Sequence, residues 1–114
     1  MAKDLKFVLL MDCYNKMLTD NQRDAMELYY CEDLSLSEIS EPRGITRQAV
    51  HCIIKQSEQK LLEMEEKLGF AGKFAAINKY FEKLQELAAE VENISIKKEL
   101  NFYIEKGLSV LSDD

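Results

Sequence analysis

The side chains best suited to a chemical task open a candidate helix at Thr46-Arg47-Gln48, and His51 and Lys55 follow on one side of it. Arginine and glutamine present paired hydrogen-bonding groups that fit guanine and adenine edges, and the first turn of a recognition helix reaches those edges. The other side chains of the set suit phosphate oxygens or groove edges. The candidate nucleic-acid-binding residues are therefore Arg43, Thr46, Arg47, Gln48, His51 and Lys55.

The elements that position these side chains have local sequence signals. Ser35 followed by Glu38 forms a capping box, which predicts a short helix that Pro42 is expected to stop. Gly44 suits a sharp turn, Ile45 is expected to enter the core, and Thr46 can cap the next helix. Two short helices joined by such a turn predict a helix-turn-helix. The alternative is a corner of the kind found in many helical proteins, with a charged face that is merely solvated.

The rest of the chain also predicts helices. Apolar periodicity and capping residues place them at 4–17, from Thr19 with Gln22 to about 31, at 46–68 ending at Gly69, at 73–92, and at 95–111 capped by Ser95. Residues 70–73 are expected to form a link. The predicted fold class is all-α, with a helix-turn-helix domain at 1–69, whose long third helix leads into a C-terminal helical hairpin at 70–114 for packing or dimerisation.

Composition limits the possible functions. The chain has 114 residues, of which 46% are hydrophobic and 32% charged, with few glycines and one proline. No run approaches the roughly 20 apolar residues of a membrane span, so a cytoplasmic protein without membrane contact is expected. Three scattered cysteines and one histidine do not match a zinc site, and we expect buried or half-buried free thiols. No catalytic, metal-binding or cofactor motif occurs, which predicts a protein that is not an enzyme and needs no cofactor.

The charge distribution favours one polyanion-binding segment. The net charge is −6, which opposes general phosphate binding. Residues 43–60, however, carry four basic side chains against Glu58 alone and are the basic segment of the chain. This segment coincides with the candidate reader helix. An acidic body would weaken non-specific binding and leave recognition to a few contacts.

The stretch LTDNQRDAMELYYCEDLSLSEISEPRGITRQAVHCIIKQSEQKL resembles region four of bacterial sigma factors, which reads the promoter −35 element. From its amino terminus to about Gly69 the chain resembles the YlxM family of small helix-turn-helix proteins. The residues that carry the resemblance are Leu18, Gln22, Leu28-Tyr29-Tyr30, Ser35-Leu36, Glu38-Ile39 and Thr46-Arg47-Gln48-Ala49-Val50. Family genes tend to lie beside signal recognition particle genes, which implies a conjectured role in that pathway. The sequence departs from its relatives at Pro42 and Cys52.

Three functions follow from these observations. The leading hypothesis is a sequence-selective DNA-binding regulator, in which Arg47 and Gln48 read bases. The resemblance implies an alternative, an accessory of the signal recognition particle pathway that binds its RNA or protein components. In a third interpretation the helix-turn-helix serves only as a scaffold. The apolar surplus of the last helices predicts a homodimer in any of these cases.

Overall fold

The structure, a computed structural model, describes residues 3–112 and contains no strand within that range. The helices are α1 Lys6–Tyr14, α2 Asp20–Met26, α3 Leu36–Arg43, α4 Arg47–Leu68, α5 Phe70–Ala89 and α6 Ile94–Ser112. A 3₁₀ turn, Asn15–Met17, follows α1, and a π-helical turn, Glu27–Cys31, extends α2. The chain divides into two compact units on either side of the Gly69–Phe70 peptide bond. The all-α prediction is confirmed.

In the first unit, α4 packs against α1, α2 and α3. Its apolar seam is buried at Val50, Ile54 and Leu61. The buried Ser57 lies in the same seam, and its hydroxyl donates to the backbone oxygen of Ile53 at 2.7 Å. Phe7, Leu10, Met11 and Tyr14 on α1 and Leu18 just after it are all buried. The helix that carries the candidate site is therefore fixed by the core behind it.

Both predicted capping boxes are present. The Gln22 backbone N–H donates to Thr19 Oγ1 at 3.2 Å, and the Thr19 N–H donates back to Gln22 Oε1 at 3.1 Å. Ser35 and Glu38 make the same reciprocal pair at 3.1 and 3.0 Å. Each box satisfies two backbone N–H groups that a helix start leaves without intrahelical partners. These local signals place the starts of α2 and α3 correctly.

The expectation that Pro42 stops α3 is wrong. The proline lies inside α3, which ends one residue later at Arg43 and is closed by Gly44 with φ +66°. A proline's fixed φ is itself compatible with a helix, and the missing N–H removes only one hydrogen bond. The left-handed glycine, rather than the proline, sets the end of α3.

The second unit is a hairpin of α5 and α6. The predicted link at 70–73 is wrong, because α5 begins at Phe70 directly after Gly69, whose left-handed φ of +66° closes α4. Asn93, rather than Ser95, caps α6, since its Oδ1 accepts from the Ile96 backbone N–H at 3.1 Å. A Cβ on Gly107 would overlap the Phe81 ring, so this glycine permits a close approach of the two helices.

The cysteines are more accessible than expected. Cys13 is half-buried, as predicted, but Cys31 and Cys52 are exposed. Within residues 3–112, no group of cysteine, histidine and carboxylate side chains is placed to hold a metal ion. Among the helices described, none is both long and apolar enough to cross a membrane.

Candidate nucleic-acid interface

The turn between α3 and α4 is closed by backbone hydrogen bonds. The Gly44 N–H donates to the Glu41 oxygen at 3.2 Å, and the Ile45 N–H donates to the Ser40 oxygen at 3.3 Å. This pattern ends a helix tightly and needs the left-handed conformation that glycine adopts without steric cost. The expectation that Ile45 enters the core is wrong, because its side chain is 38% exposed. Ile45 therefore adds an apolar contact surface beside the start of α4.

Thr46 begins α4 as its N-cap. Its Oγ1 accepts from the Ala49 backbone N–H at 3.0 Å, and its backbone oxygen accepts from the Val50 N–H at 3.2 Å. Arg47 and Gln48 are the first two residues of the helix, and both are exposed. The helix N-terminus carries a partial positive charge that favours anions. Two hydrogen-bonding side chains thus stand at an end of a helix that attracts phosphate.

The outer face of α4 continues beyond its first turn. His51 and Lys55 are exposed, while the residue that precedes each of them, Val50 and Ile54, is buried. The separation of polar and apolar faces follows the helical period and matches the prediction. The structure therefore places four predicted residues, Arg47, Gln48, His51 and Lys55, on the accessible side of one helix.

Arg43 has a different environment from the other predicted residues. Its side chain is half-buried, and its Nη1 donates to Asn21 Oδ1 at 3.1 Å. This hydrogen bond joins the end of α3 to the start of α2. The contact holds the two helices together and directs the guanidinium towards the protein's own surface.

Lys55 forms an ion pair with a carboxylate of the same helix. Its Nζ lies 3.4 Å from Glu58 Oε1, and the Lys55 side chain is 62% exposed whereas that of Glu58 is 12% exposed. The Tyr30 hydroxyl donates to the other oxygen, Glu58 Oε2. Burial, the hydrogen bond to Glu58 and the negative charge of that carboxylate raise the pKa of Tyr30 well above its usual value. Glu58 thus lowers the positive charge that this end of the interface offers.

Two exposed residues of the same face were not predicted as part of the site. Cys52 follows His51, and Gln59 lies one turn beyond Lys55, where its Nε2 donates to Glu63 Oε1 at 3.1 Å. Their spacing of four from Gln48 and Lys55 could have identified them. The contact of Tyr30 with Glu58 spans 28 residues, and no local pattern signals it.

The short α3, the Gly44 turn and the exposed start of α4 define a helix-turn-helix protein. A sequence model of the family described as "Putative helix-turn-helix protein, YlxM / p13 like" matches residues 1–108, and the chain belongs to this family. The resemblance inferred from the sequence is confirmed. Membership suggests nucleic-acid binding at a general level, and helix-turn-helix proteins are generally binding proteins rather than enzymes.

Individual relatives agree with this assignment. A UPF0122 protein of Desulforamulus reducens is 51% identical over 74 residues, which cover 65% of this chain and 63% of that protein. A UPF0122 protein of Clostridium botulinum is 39% identical over 102 residues, or 90% of this chain and 94% of that protein. One from Bacillus cereus is 41% identical over 95 residues, or 83% and 86%. The similarity to the last two extends beyond the helix-turn-helix into the hairpin.

Proposed function

We propose that this protein is a sequence-selective DNA-binding regulator that inserts the start of α4 into the major groove. The observation that carries this proposal is the exposure of Arg47 and Gln48 in the first turn of α4. In helix-turn-helix complexes this turn contacts base edges. Arg47 fits the paired acceptors of guanine, and Gln48 fits the donor and acceptor of adenine.

The other predicted residues have supporting roles in this proposal. Thr46 keeps the N-terminal N–H groups of α4 oriented, and His51 contacts a groove edge or phosphate further along the helix. Lys55 binds a phosphate by exchanging part of its contact with Glu58, which is possible because Lys55 is the more exposed partner. Arg43 acts through its hydrogen bond to Asn21, which fixes α3 and the turn that precedes the reader helix.

The proposal is tested by selecting bound DNA sequences from a random pool and measuring the affinity of Arg47→Ala for a selected and a scrambled duplex. A bidentate base contact contributes about 1–3 kcal/mol of discrimination. We therefore expect the substitution to weaken specific binding by about 5- to 150-fold and to change non-specific binding much less.

Lys67→Ala is the matched control, because it removes one positive charge from the exposed last turn of the same helix. It should leave the affinity for both duplexes nearly unchanged. Equal losses on both duplexes for Arg47→Ala would reassign Arg47 to a phosphate contact. If the native protein enriches no sequence from the pool, sequence-selective DNA binding is excluded.

The alternative is an accessory protein of the signal recognition particle pathway. The pairing of Lys55 with Glu58 reduces the positive charge available to phosphates, which favours a partner recognised mainly through contacts other than phosphates. RNA is recognised through exposed bases and 2′-hydroxyls, for which Arg47, Gln48 and His51 are also suited. Binding to selected DNA, to particle RNA and to the purified pathway GTPases at one salt concentration would separate the two functions.

We further propose that the protein acts in the cytoplasm as a homodimer. Two copies would present two α4 helices to a two-fold symmetric target. Half-sites of such targets lie about 34 Å apart, or multiples of that distance. A monomer mass at micromolar concentration would contradict this part of the proposal.

A further inference from the structure

The hairpin of α5 and α6 exposes an unusual amount of apolar surface. Among the apolar side chains described in this unit, only Ala88 and Ile104 are buried. Two helices of 20 and 19 residues that bury so little are below the size at which a hydrophobic core stabilises a fold alone. The hairpin therefore needs a further surface to cover its apolar side chains.

Four of the exposed apolar side chains, Leu84, Leu87, Leu100 and Tyr103, line a groove in the hairpin. It is an open cavity of about 260 Å³ between α5 and α6, lined by Phe81, Leu84, Leu87, Ala88, Val91, Leu100, Tyr103 and Ile104. Among the residues that line the groove, Leu87 and Tyr103 are the most exposed, at 53% and 63%. None of the lining residues carries a formal charge at neutral pH. The groove is suited to apolar side chains rather than to a charged ligand.

The exposed side chains follow a repeat that suits helix packing. Tyr80, Leu84 and Leu87 on α5 are spaced four and three residues apart, and Val91 follows four residues later, just beyond the end of the helix at Ala89. Ile96, Leu100, Tyr103 and Val110 on α6 follow the same register, with Gly107 at the intervening position. Such spacing is typical of a seam that packs against other helices. Both helices of the hairpin therefore offer a seam in addition to the contact between them.

We propose that this groove is the self-association surface of the protein, where a second copy's hairpin packs to form a four-helix bundle. The inference deepens the homodimer part of the proposed function by naming the surface and does not depend on DNA binding. A two-fold interface places the same patch on both subunits. A two-helix hairpin meets this requirement, since the hairpin of the second copy supplies the other two helices of the four-helix bundle.

The available area agrees with a dimer. The exposed members of the two seams, from Tyr80 on α5 to Val110 on α6, are between 39% and 75% exposed. If each contributes roughly 80–100 Å², about half of what a large side chain can bury, they offer on the order of 600 Å². With the stems of rim residues added, this approaches the ~800 Å² per partner of a stable interface.

The charge of the segment that contains the hairpin also favours a second copy over a strongly charged partner. Residues 70–114 contain six lysines and eight acidic residues, with both signs interspersed. Two copies of such a segment repel one another weakly, and their opposite charges can pair. A strongly basic or acidic partner would not meet a surface of opposite charge.

The test introduces like charges into the groove of the full chain. Leu87→Glu/Tyr103→Glu places two negative charges on each copy, and sedimentation equilibrium from 1 to 200 µM without nucleic acid measures the mass. We expect the native chain of 13.2 kDa to sediment at twice that mass. The double variant should raise the dimer dissociation constant by about 100-fold or more.

Leu9→Glu is the control, because Leu9 is 63% exposed, like Tyr103, but lies on α1. It should remain dimeric. The variant Leu87→Lys/Tyr103→Lys separates interface loss from unfolding. It should be monomeric alone and form a dimer when mixed in equal amounts with the double glutamate variant. The proposal would be overturned if the native chain were monomeric or if the double glutamate variant were dimeric. It would also be overturned if Leu9→Glu were monomeric or if the mixture formed no dimer.

Discussion

Glu58 has a partner at each of its carboxylate oxygens, with Lys55 on the exposed side and Tyr30 on the other. A buried carboxylate is costly unless it is hydrogen-bonded or paired with a positive charge. The spacing of Lys55 and Glu58 within one helix made their contact predictable from sequence. The approach of Tyr30 depends on how the π-helical turn after α2 packs against α4, so it was not predictable. This cluster links the core to the exposed polar face of α4.

Removing the Tyr30 hydroxyl should destabilise the first unit. Tyr30→Phe leaves one oxygen of Glu58 without its donor, which costs about 1–3 kcal/mol in the free energy of unfolding. Urea unfolding at pH 7 measures the loss, and Tyr29→Phe, which changes the neighbouring ring's hydroxyl, is the matched control. An unfolding free energy equal to that of the native chain would show that the hydrogen bond contributes nothing.

The same substitution has a defined pH dependence. Because the folded-state pKa of Tyr30 is raised, its contribution is complete below the unfolded pKa of about 10 and is lost as pH rises further. The stability difference between the native chain and Tyr30→Phe should therefore be constant at neutral pH and shrink above about pH 10. Urea unfolding at several pH values checks this, and a difference that grows above pH 10 would contradict it.

At the scale of the helices, sequence signals that span a few neighbouring residues predicted the structure well. Contacts between residues far apart in the chain could not be predicted in this way. The Thr19 and Ser35 capping boxes and the glycine ends at Gly44 and Gly69 were readable because each is satisfied by its own segment. The prediction that α3 ends at Pro42 failed because the φ of proline is compatible with a helix, and α3 continues for one more residue to Arg43. The start of α5 at Phe70 was missed because two glycines close together resemble a link. The exposure of the polar face of α4 was predictable, but the hydrogen bond from Arg43 to Asn21 was not.

The close approach of α5 and α6 at Gly107 can be tested by substitution. Alanine has a helix propensity about 1 kcal/mol better than glycine, but its Cβ would overlap the Phe81 ring. Overpacking of this kind costs about 1–3 kcal/mol, so Gly107→Ala should destabilise the protein by roughly 1 kcal/mol. Thermal or urea unfolding of the full chain provides the measurement.

The companion variant is Gly107→Ala in a Phe81→Leu background. With the ring replaced by a smaller side chain, alanine should become neutral or stabilising by up to about 1 kcal/mol. The same destabilisation in both backgrounds would show that the Phe81 contact is not the reason for the glycine.

For the molecule as a whole, the net charge of −6 opposes the proposed binding to a polyanion. Each phosphate neutralised by a lysine or arginine releases counterions and adds to the salt dependence of binding. In this chain the exposed cations of α4 are few, and Lys55 is shared with Glu58. We therefore expect a shallow salt dependence compared with basic DNA-binding proteins, and a large share of the affinity from base contacts.

The contribution of Lys55 can be measured from the slope of log affinity against log salt concentration on a selected duplex. Lys55→Ala should reduce the slope by about one unit if Lys55 neutralises one phosphate. Lys67→Ala, at the far end of the same helix, should leave the slope unchanged. An unchanged slope for Lys55→Ala would remove Lys55 from the interface and leave it as the partner of Glu58.

The π-helical turn Glu27–Cys31 holds one residue more than an α-helix would, as the hydrogen bond from the Glu32 N–H to the Glu27 oxygen shows. In evolutionary terms this is a place where the chain can lose a residue and remain helical. A one-residue deletion inside α4 would instead rotate every later side chain by about 100°. A deletion in the turn would be absorbed locally, but it would move Tyr30 away from Glu58. Relatives that lost this residue would need another donor for the buried carboxylate.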